Sequence, residues 1–511
     1  MADDQASGLR FPAGSDGHRS TSATGRALFA DAARAVNADL ASAIEHTSTW
    51  RTGYIPALRD VVIAESASPS AAYAVAEAGL ASAHRRFRAR SNNDDISVHL
   101  WMGQRGESVG SVDVIGREAP AEGLSVPYAG RLLQGDHLRR QVDAWVDRGI
   151  AEPGFAEAIH TVIDNPDWLQ LHGQTFAILG AGAEMAPTRA LLRWGATVQA
   201  IDLARPAPWL SLIEATRASA GRLRIPIVAG PDGQFPFTVE GVVHPQDDDI
   251  IAGAAGLNLL TQAPAAARWL SAIDEPFVLG TYAYADGAAH ALLSMAADAI
   301  ISAIHDHGKD PALAFLATPT DVFMVPIEVV AMAQHAWDTR GLAGLVQRPL
   351  RLLGQFTPNY PDVYLTPADR AVGFNDSLVS QQGPNYALAK RLQRWRAVHS
   401  RARGSVVSMN LAPATRTTSV VRNRALAAAY AGAGRFGVEV FDPDTSSTLM
   451  TAMLIHDLRN PESVAQPGTA LDSPLDQFSA CALHGGLWRS AYAPRSVMTI
   501  AALTGMLDRR S

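Results

Sequence analysis

The 511-residue sequence predicts a doubly wound α/β fold, a parallel sheet with helices on both faces. Three observations lead there. Short apolar runs, FAIL (176–179), IPIVAG (225–230), DIIAGAAG (249–256), ALAFLAT (312–318) and SVVSMNLAP (405–413), alternate with stretches of helical periodicity. The first run feeds Gly180-Ala181-Gly182, then a helical segment, then Gly195-Ala-Thr-Val-Gln-Ala-Ile-Asp202, which is strand, glycine turn, helix, strand and acid in βαβ order. A chain with 47% apolar and 18% charged residues can bury the core that such a sheet needs.

Residues 1–24 are rich in Ser, Gly and Asp and are expected to be disordered. From 25 to 170, segments such as RALFADAARAVNADLASAIEHT place apolar residues three and four apart, which predicts an N-terminal helical extension. The Rossmann-like core is expected over 171–460. Within it, AAHALLSMAADAIISAI (288–304) carries His290 and Asp298 and reads as a buried helix rather than a membrane span. Residues 322–380 include PNYPDVYLTPADR, too rich in proline for one helix, and predict an inserted cap. Residues 461–511 form a C-terminal tail expected to pack on the core.

A net charge of -7 with dispersed arginines argues against a nucleic-acid partner. The single cysteine, Cys481, rules out an intramolecular disulfide framework and a cysteine-based zinc cage. With no apolar h-region near the amino terminus, the expectation is a cytoplasmic protein without firm membrane association. His305 and His307 sit two apart at a helix end, which is poor ligand geometry, and Asp247-Asp-Asp249 reads as a solvated turn, so no metal is expected.

Gly180, Ala181 and Gly182 could offer backbone N–H groups to a pyrophosphate, and Asp202, 22 residues after Gly180, could accept hydrogen bonds from ribose hydroxyls. The cofactor indicated is NAD, and Arg205 beside the acid keeps NADP open. The same spacing suits an S-adenosylmethionine methyltransferase, or a tight turn in a domain that binds no nucleotide.

The chain has two lysines, Lys309 and Lys390, against 41 arginines. Arginine cannot give up its proton and lysine can be tuned, so a lysine in this background suggests chemistry. Tyr386 lies one helical turn before Lys390. An ammonium near its phenol would favour the phenolate and lower the tyrosine pKa, giving a general acid/base for an alcohol or carbonyl. The competing reading is a half-exposed helix in which Tyr386 packs and Lys390 is solvated.

Twenty-three residues after Lys390 the strand SVVSMNLAP ends at Pro413, and Thr418 follows five residues later. Together with the glycine turn and Tyr386-x-x-x-Lys390, this order of elements over about 175–458 resembles the short-chain dehydrogenase/reductase family. The resemblance implies that Tyr386 exchanges a proton with the substrate oxygen, that Lys390 lowers its pKa and holds the nicotinamide ribose, and that Pro413 and Thr418 border the nicotinamide. It implies a substrate-holding hydroxyl after the fifth strand, for which Thr320 is preferred over Thr318. It also implies a polar residue near Asp286 or His290, where a packed core histidine is the plainer reading. The turn itself, Leu179-Gly-Ala-Gly-Ala-Glu-Met-Ala186, lacks the family's later glycines. His484 and Trp488, in a loop after the core, are further candidates for substrate contact, although packing is their plainer role. The cap and the apolar tail SVMTIAALTGML point to a small-molecule substrate that is bulky and apolar, on a possible homo-oligomer. The function expected is NAD(P)-dependent interconversion of a ketone and a secondary alcohol.

Overall fold

The computed structural model describes residues 7–230, 232–235 and 248–508. Seven strands form the central sheet: β1 (Val109–Ile115), β2 (Thr175–Leu179), β3 (Thr197–Ile201), β4 (Arg222–Val228), β5 (Phe277–Thr281), β6 (Ala312–Ala317) and β7 (Val407–Leu411). Their spatial order is β7-β6-β5-β2-β3-β4-β1. All neighbours run parallel except β1, which lies antiparallel on β4. The parallel part starts at β2, builds outward through β3 and β4, then returns to lay β5 against the other side of β2. This is an α/β sheet compatible with a Rossmann-like fold, and in such sheets the crevice at the reversal point is where ligands bind.

The strands are apolar throughout because both faces are covered. Phe176 and Ile178 of β2 enter one hydrophobic cluster, and Ala177 and Leu179 enter the other. The helices Thr21–Arg34, Trp50–Glu65 and Pro69–Arg86 pack in the second cluster, together with the helix Gly383–Ala402. Pro69–Arg86 approaches so closely that a Cβ on Gly79 would stand 2.5 Å from the Trp395 ring. The opposite face is closed by Gly135–Asp147, Pro153–Asp164 and Pro443–Arg459.

Several expectations need correction. Gly8–Arg10 pairs with Arg88–Arg90 and Thr21 already begins a helix, so residues 7–24 are ordered; residues 1–6 lie outside the described residues. The N-terminal part is not purely helical, because its alternating Val112 and Val114 turn inward and make β1 an edge of the central sheet. DIIAGAAG is mostly the helix Asp248–Ala254, with Asp248 and Asp249 in its first turn; Asp247 is outside the described residues. The fourth parallel strand is instead FVLGT, β5. The cap is a three-stranded antiparallel sheet, Val322–Pro326, Tyr364–Leu365 and Ala371–Asp376, with helices Ile327–Asp338 and Leu342–Arg351. The helix Ala288–Asp306 is long and apolar enough to cross a membrane, but 67% of that window is buried inside the protein.

Candidate active site

The helix Gly383–Ala402 carries Tyr386 and Lys390, and buried charges fix it in place. Arg391 and Arg394 donate to the carboxylate of Asp321 at 2.9 and 3.2 Å, and the Trp395 indole donates to Glu65 at 3.0 Å. Arg396 donates to Asp298 at 2.6 and 3.0 Å. Burial alone would raise the Asp321 pKa, but the two guanidiniums outweigh it and hold the carboxyl below its usual range. One face of the helix is therefore bolted to the cap strand at Val322 and to the N-terminal helices. Tyr386 and Lys390 then fall at the carboxyl end of β6.

Four side chains meet there. Thr318, just past β6, stands near enough to the Tyr386 phenol to oppose the effect of burial on its pKa. His290, at the start of Ala288–Asp306, stacks on Tyr386 with ring centres 5.3 Å apart, and the Tyr284 ring lies tilted against it at 4.9 Å. His290 is 1% exposed and neither ring nitrogen has a hydrogen-bond partner. Burial, with the Lys390 charge adding to it, pushes the imidazole pKa down to about 3, so the ring is neutral near pH 7. Lys390 Nζ donates to the Leu316 carbonyl at 3.0 Å and to Gln393 Oε1 at 3.2 Å. Burial lowers the Lys390 pKa to about 8, and Asp321 opposes that shift.

Three expectations change on this geometry. The Tyr386 pKa is raised by burial rather than lowered, because the Lys390 ammonium is turned toward the Leu316 carbonyl of β6. The hydroxyl beside Tyr386 belongs to Thr318; Thr320 stands behind it, bonded to Thr318 at 2.9 Å and to Gln382. His484 and Trp488 are completely buried and stacked on each other, with His484 bonded to Glu152 at 3.0 Å, so packing rather than substrate contact is what they do in this fold.

The glycine turn lies across the sheet from this cluster. Gly180 has φ +84°, and a Cβ there would stand 2.4 Å from the Ala283 backbone, so the turn packs against the loop that leads from β5 to Tyr284. Gly180 and Ala181 donate their N–H groups to the Ile201 carbonyl at 2.8 and 3.1 Å, and Gly182 donates to Asp202 Oδ2 at 2.7 Å. These three N–H groups hold strand ends together rather than pointing outward for a pyrophosphate. The helix after the turn, Thr188–Arg193, starts only at Thr188. Pro413 is buried just beyond β7, and Thr418 opens the helix Thr418–Arg422. Thr418 donates both its backbone N–H and its hydroxyl to Glu184 of the turn, at 2.8 and 2.6 Å.

Asp202 and the Tyr386 cluster are the two places with groups that a dinucleotide would use. Asp202 accepts one N–H on each oxygen, from Gly182 and Leu203, and each oxygen keeps a further lone pair for a ribose hydroxyl. At the other stand Tyr386, Thr318 and Lys390. The Glu184 carboxylate, held by Thr418, would repel a phosphate placed beside the turn. Among the described residues no group of three or more potential ligands is placed to hold a metal ion.

No protein-family model matches this sequence, and comparison with curated proteins finds no significant relative.

Proposed function

We propose that the protein is an NAD(P)-dependent oxidoreductase of the short-chain dehydrogenase/reductase type that interconverts a ketone and a secondary alcohol on a bulky apolar substrate. The observation that carries this reading is the convergence of Tyr386, Thr318, His290 and Lys390 at the carboxyl end of β6. A reduced nicotinamide bound in the cleft would supply hydride to the carbonyl carbon. Tyr386 gives its proton to the carbonyl oxygen, and Thr318 orients that oxygen by hydrogen bonding. Burial keeps the phenol protonated near neutral pH, which suits it to act as the acid in the direction of reduction. Solvent then returns the proton to the phenolate.

One set of contacts favours a second reading, a protein without turnover. The turn N–H groups and Glu184 are engaged within the chain, as they would be in a scaffold that binds no dinucleotide. Oxidation of NADH or NADPH by the wild-type protein and by Tyr386→Phe, over a panel of long-chain ketones, separates the two. The enzyme reading expects turnover that falls by about 10²–10⁴-fold in the variant, with unchanged thermal stability. No turnover of any ketone, or a variant as fast as wild type, would overturn it.

A further inference from the structure

The cap carries a surface that the oxidoreductase reading does not use. Residues 339–361 contain Arg340, Arg348 and Arg351 and no Asp or Glu. The helix Leu342–Arg351 stops there, and the next two residues, Leu352 and Leu353, are 91% and 75% exposed. They are the most exposed large apolar side chains among the described residues. Arg348 and Arg351 are exposed beside them, and neither meets a carboxylate among the described residues.

The tip is held rather than loose. The Arg340 guanidinium lies 3.2 Å from the centre of the Trp337 ring, and that of Arg351 lies 4.9 Å from it. Trp337 in turn meets Tyr492 edge-on, and the Tyr492 hydroxyl donates to Gln347 at 3.0 Å, within the same helix. These contacts tie the end of the helix that precedes Leu352 and Leu353 to the body of the protein.

We propose that the segment Arg348–Leu353 is an interfacial anchor that docks the protein on an anionic lipid surface. Two adjacent leucines form a wedge that loses apolar contact with water on entering the acyl boundary, and unpaired arginines beside them meet lipid phosphates. A wedge of two residues lies on a bilayer and does not span it. Charge decides between a lipid and a second copy of the chain. A two-fold interface built on this tip would bring Arg348 and Arg351 against their own copies with no acid to offset them, whereas an anionic membrane supplies the missing charge. This inference is independent of the chemistry assigned to Tyr386.

The test is flotation of the full chain with vesicles of phosphatidylglycerol and phosphatidylcholine in equal parts, against phosphatidylcholine alone. Wild type should float with the anionic vesicles only, and less as salt rises. The double variant Leu352→Asp/Leu353→Asp and the pair Arg348→Gln/Arg351→Gln should each lower binding by roughly tenfold or more, with thermal unfolding unchanged because these side chains are exposed. Four results overturn the proposal: no flotation of wild type, equal flotation on neutral vesicles, variants that float like wild type, or a concentration-dependent dimer that the leucine variant abolishes while vesicles bind nothing.

Discussion

Replacing Lys390 with methionine should stabilise the protein near pH 7, and the size of the effect follows from the lysine's surroundings. Burial lowers its pKa from 10.5 to about 8. At about 1.4 kcal/mol per pKa unit, keeping it charged in the fold costs on the order of 3 kcal/mol. Lys390 keeps some solvent contact, which reduces this figure, and its hydrogen bonds to Leu316 and Gln393 offset roughly 1–2 kcal/mol more. The methionine variant, of similar length and uncharged, should therefore be more stable by about 1 kcal/mol. The pH dependence gives the sharper signature. Between about pH 8 and 10.5 the unfolded chain holds the Lys390 proton more tightly than the native state does, so wild-type stability rises through that window relative to the variant. The advantage of Lys390→Met is full below about pH 8, vanishes within the window and has reversed in favour of wild type by about pH 10.5. Urea unfolding of both proteins across this range measures it. A variant that is less stable near pH 7, or a difference that does not change with pH, would refute the reasoning. A lysine that weakens the fold is better explained by chemistry than by packing.

The remaining predictions concern neighbouring groups. Asp321→Asn leaves Arg394 buried without its ion-pair partner and Arg391 with Glu65 alone, 3.6 Å away, and should cost about 3–5 kcal/mol in chemical denaturation; a loss below about 1 kcal/mol would remove Asp321 from the role of anchor. Glu184→Ala removes the carboxylate that holds Thr418 and should tighten dinucleotide binding by roughly tenfold in a calorimetric titration, whereas weaker binding would show that Glu184 assists the cofactor. Burial first, with Asp457 and Glu157 adding to it, pushes the Cys481 thiol up to about 12, so iodoacetamide at mildly alkaline pH should label it only after unfolding. Rapid labelling of the native protein would contradict that environment.

The glycine turn, the Tyr386 helix and the closing helix Pro443–Arg459 were legible because punctuation and period coincide there: glycines end β2, Gly383 and Pro384 open one helix, and Pro443 opens the other. β5 escaped because FVLGT is a five-residue buried strand without alternation, and Asp248-Asp249 in a helical first turn was the missed sign that DIIAGAAG is not a strand. β1 did show alternation, with Val112 and Val114 inward and Asp113 outward toward Arg224, but its antiparallel place at the sheet edge is set by tertiary pairing. At the site, helical spacing correctly put Tyr386 and Lys390 on neighbouring turns but did not give the direction of the ammonium, which depends on the Leu316 carbonyl 74 residues earlier. Tyr284 and Asp321 had no signal of their own. Each matters through a partner on a distant element, His290 in one case and two arginines in the other.

The central claim is that the Asp202 end and the Tyr386/Lys390 helix belong to one dinucleotide site. Calorimetric titration of the full chain with NADH, NADPH and S-adenosylmethionine, repeated with Asp202→Ala and Lys390→Ala, tests it most directly. The account predicts saturable binding of NADH or NADPH that both substitutions weaken. Binding of the methyl donor alone, or of none of the three, would contradict it.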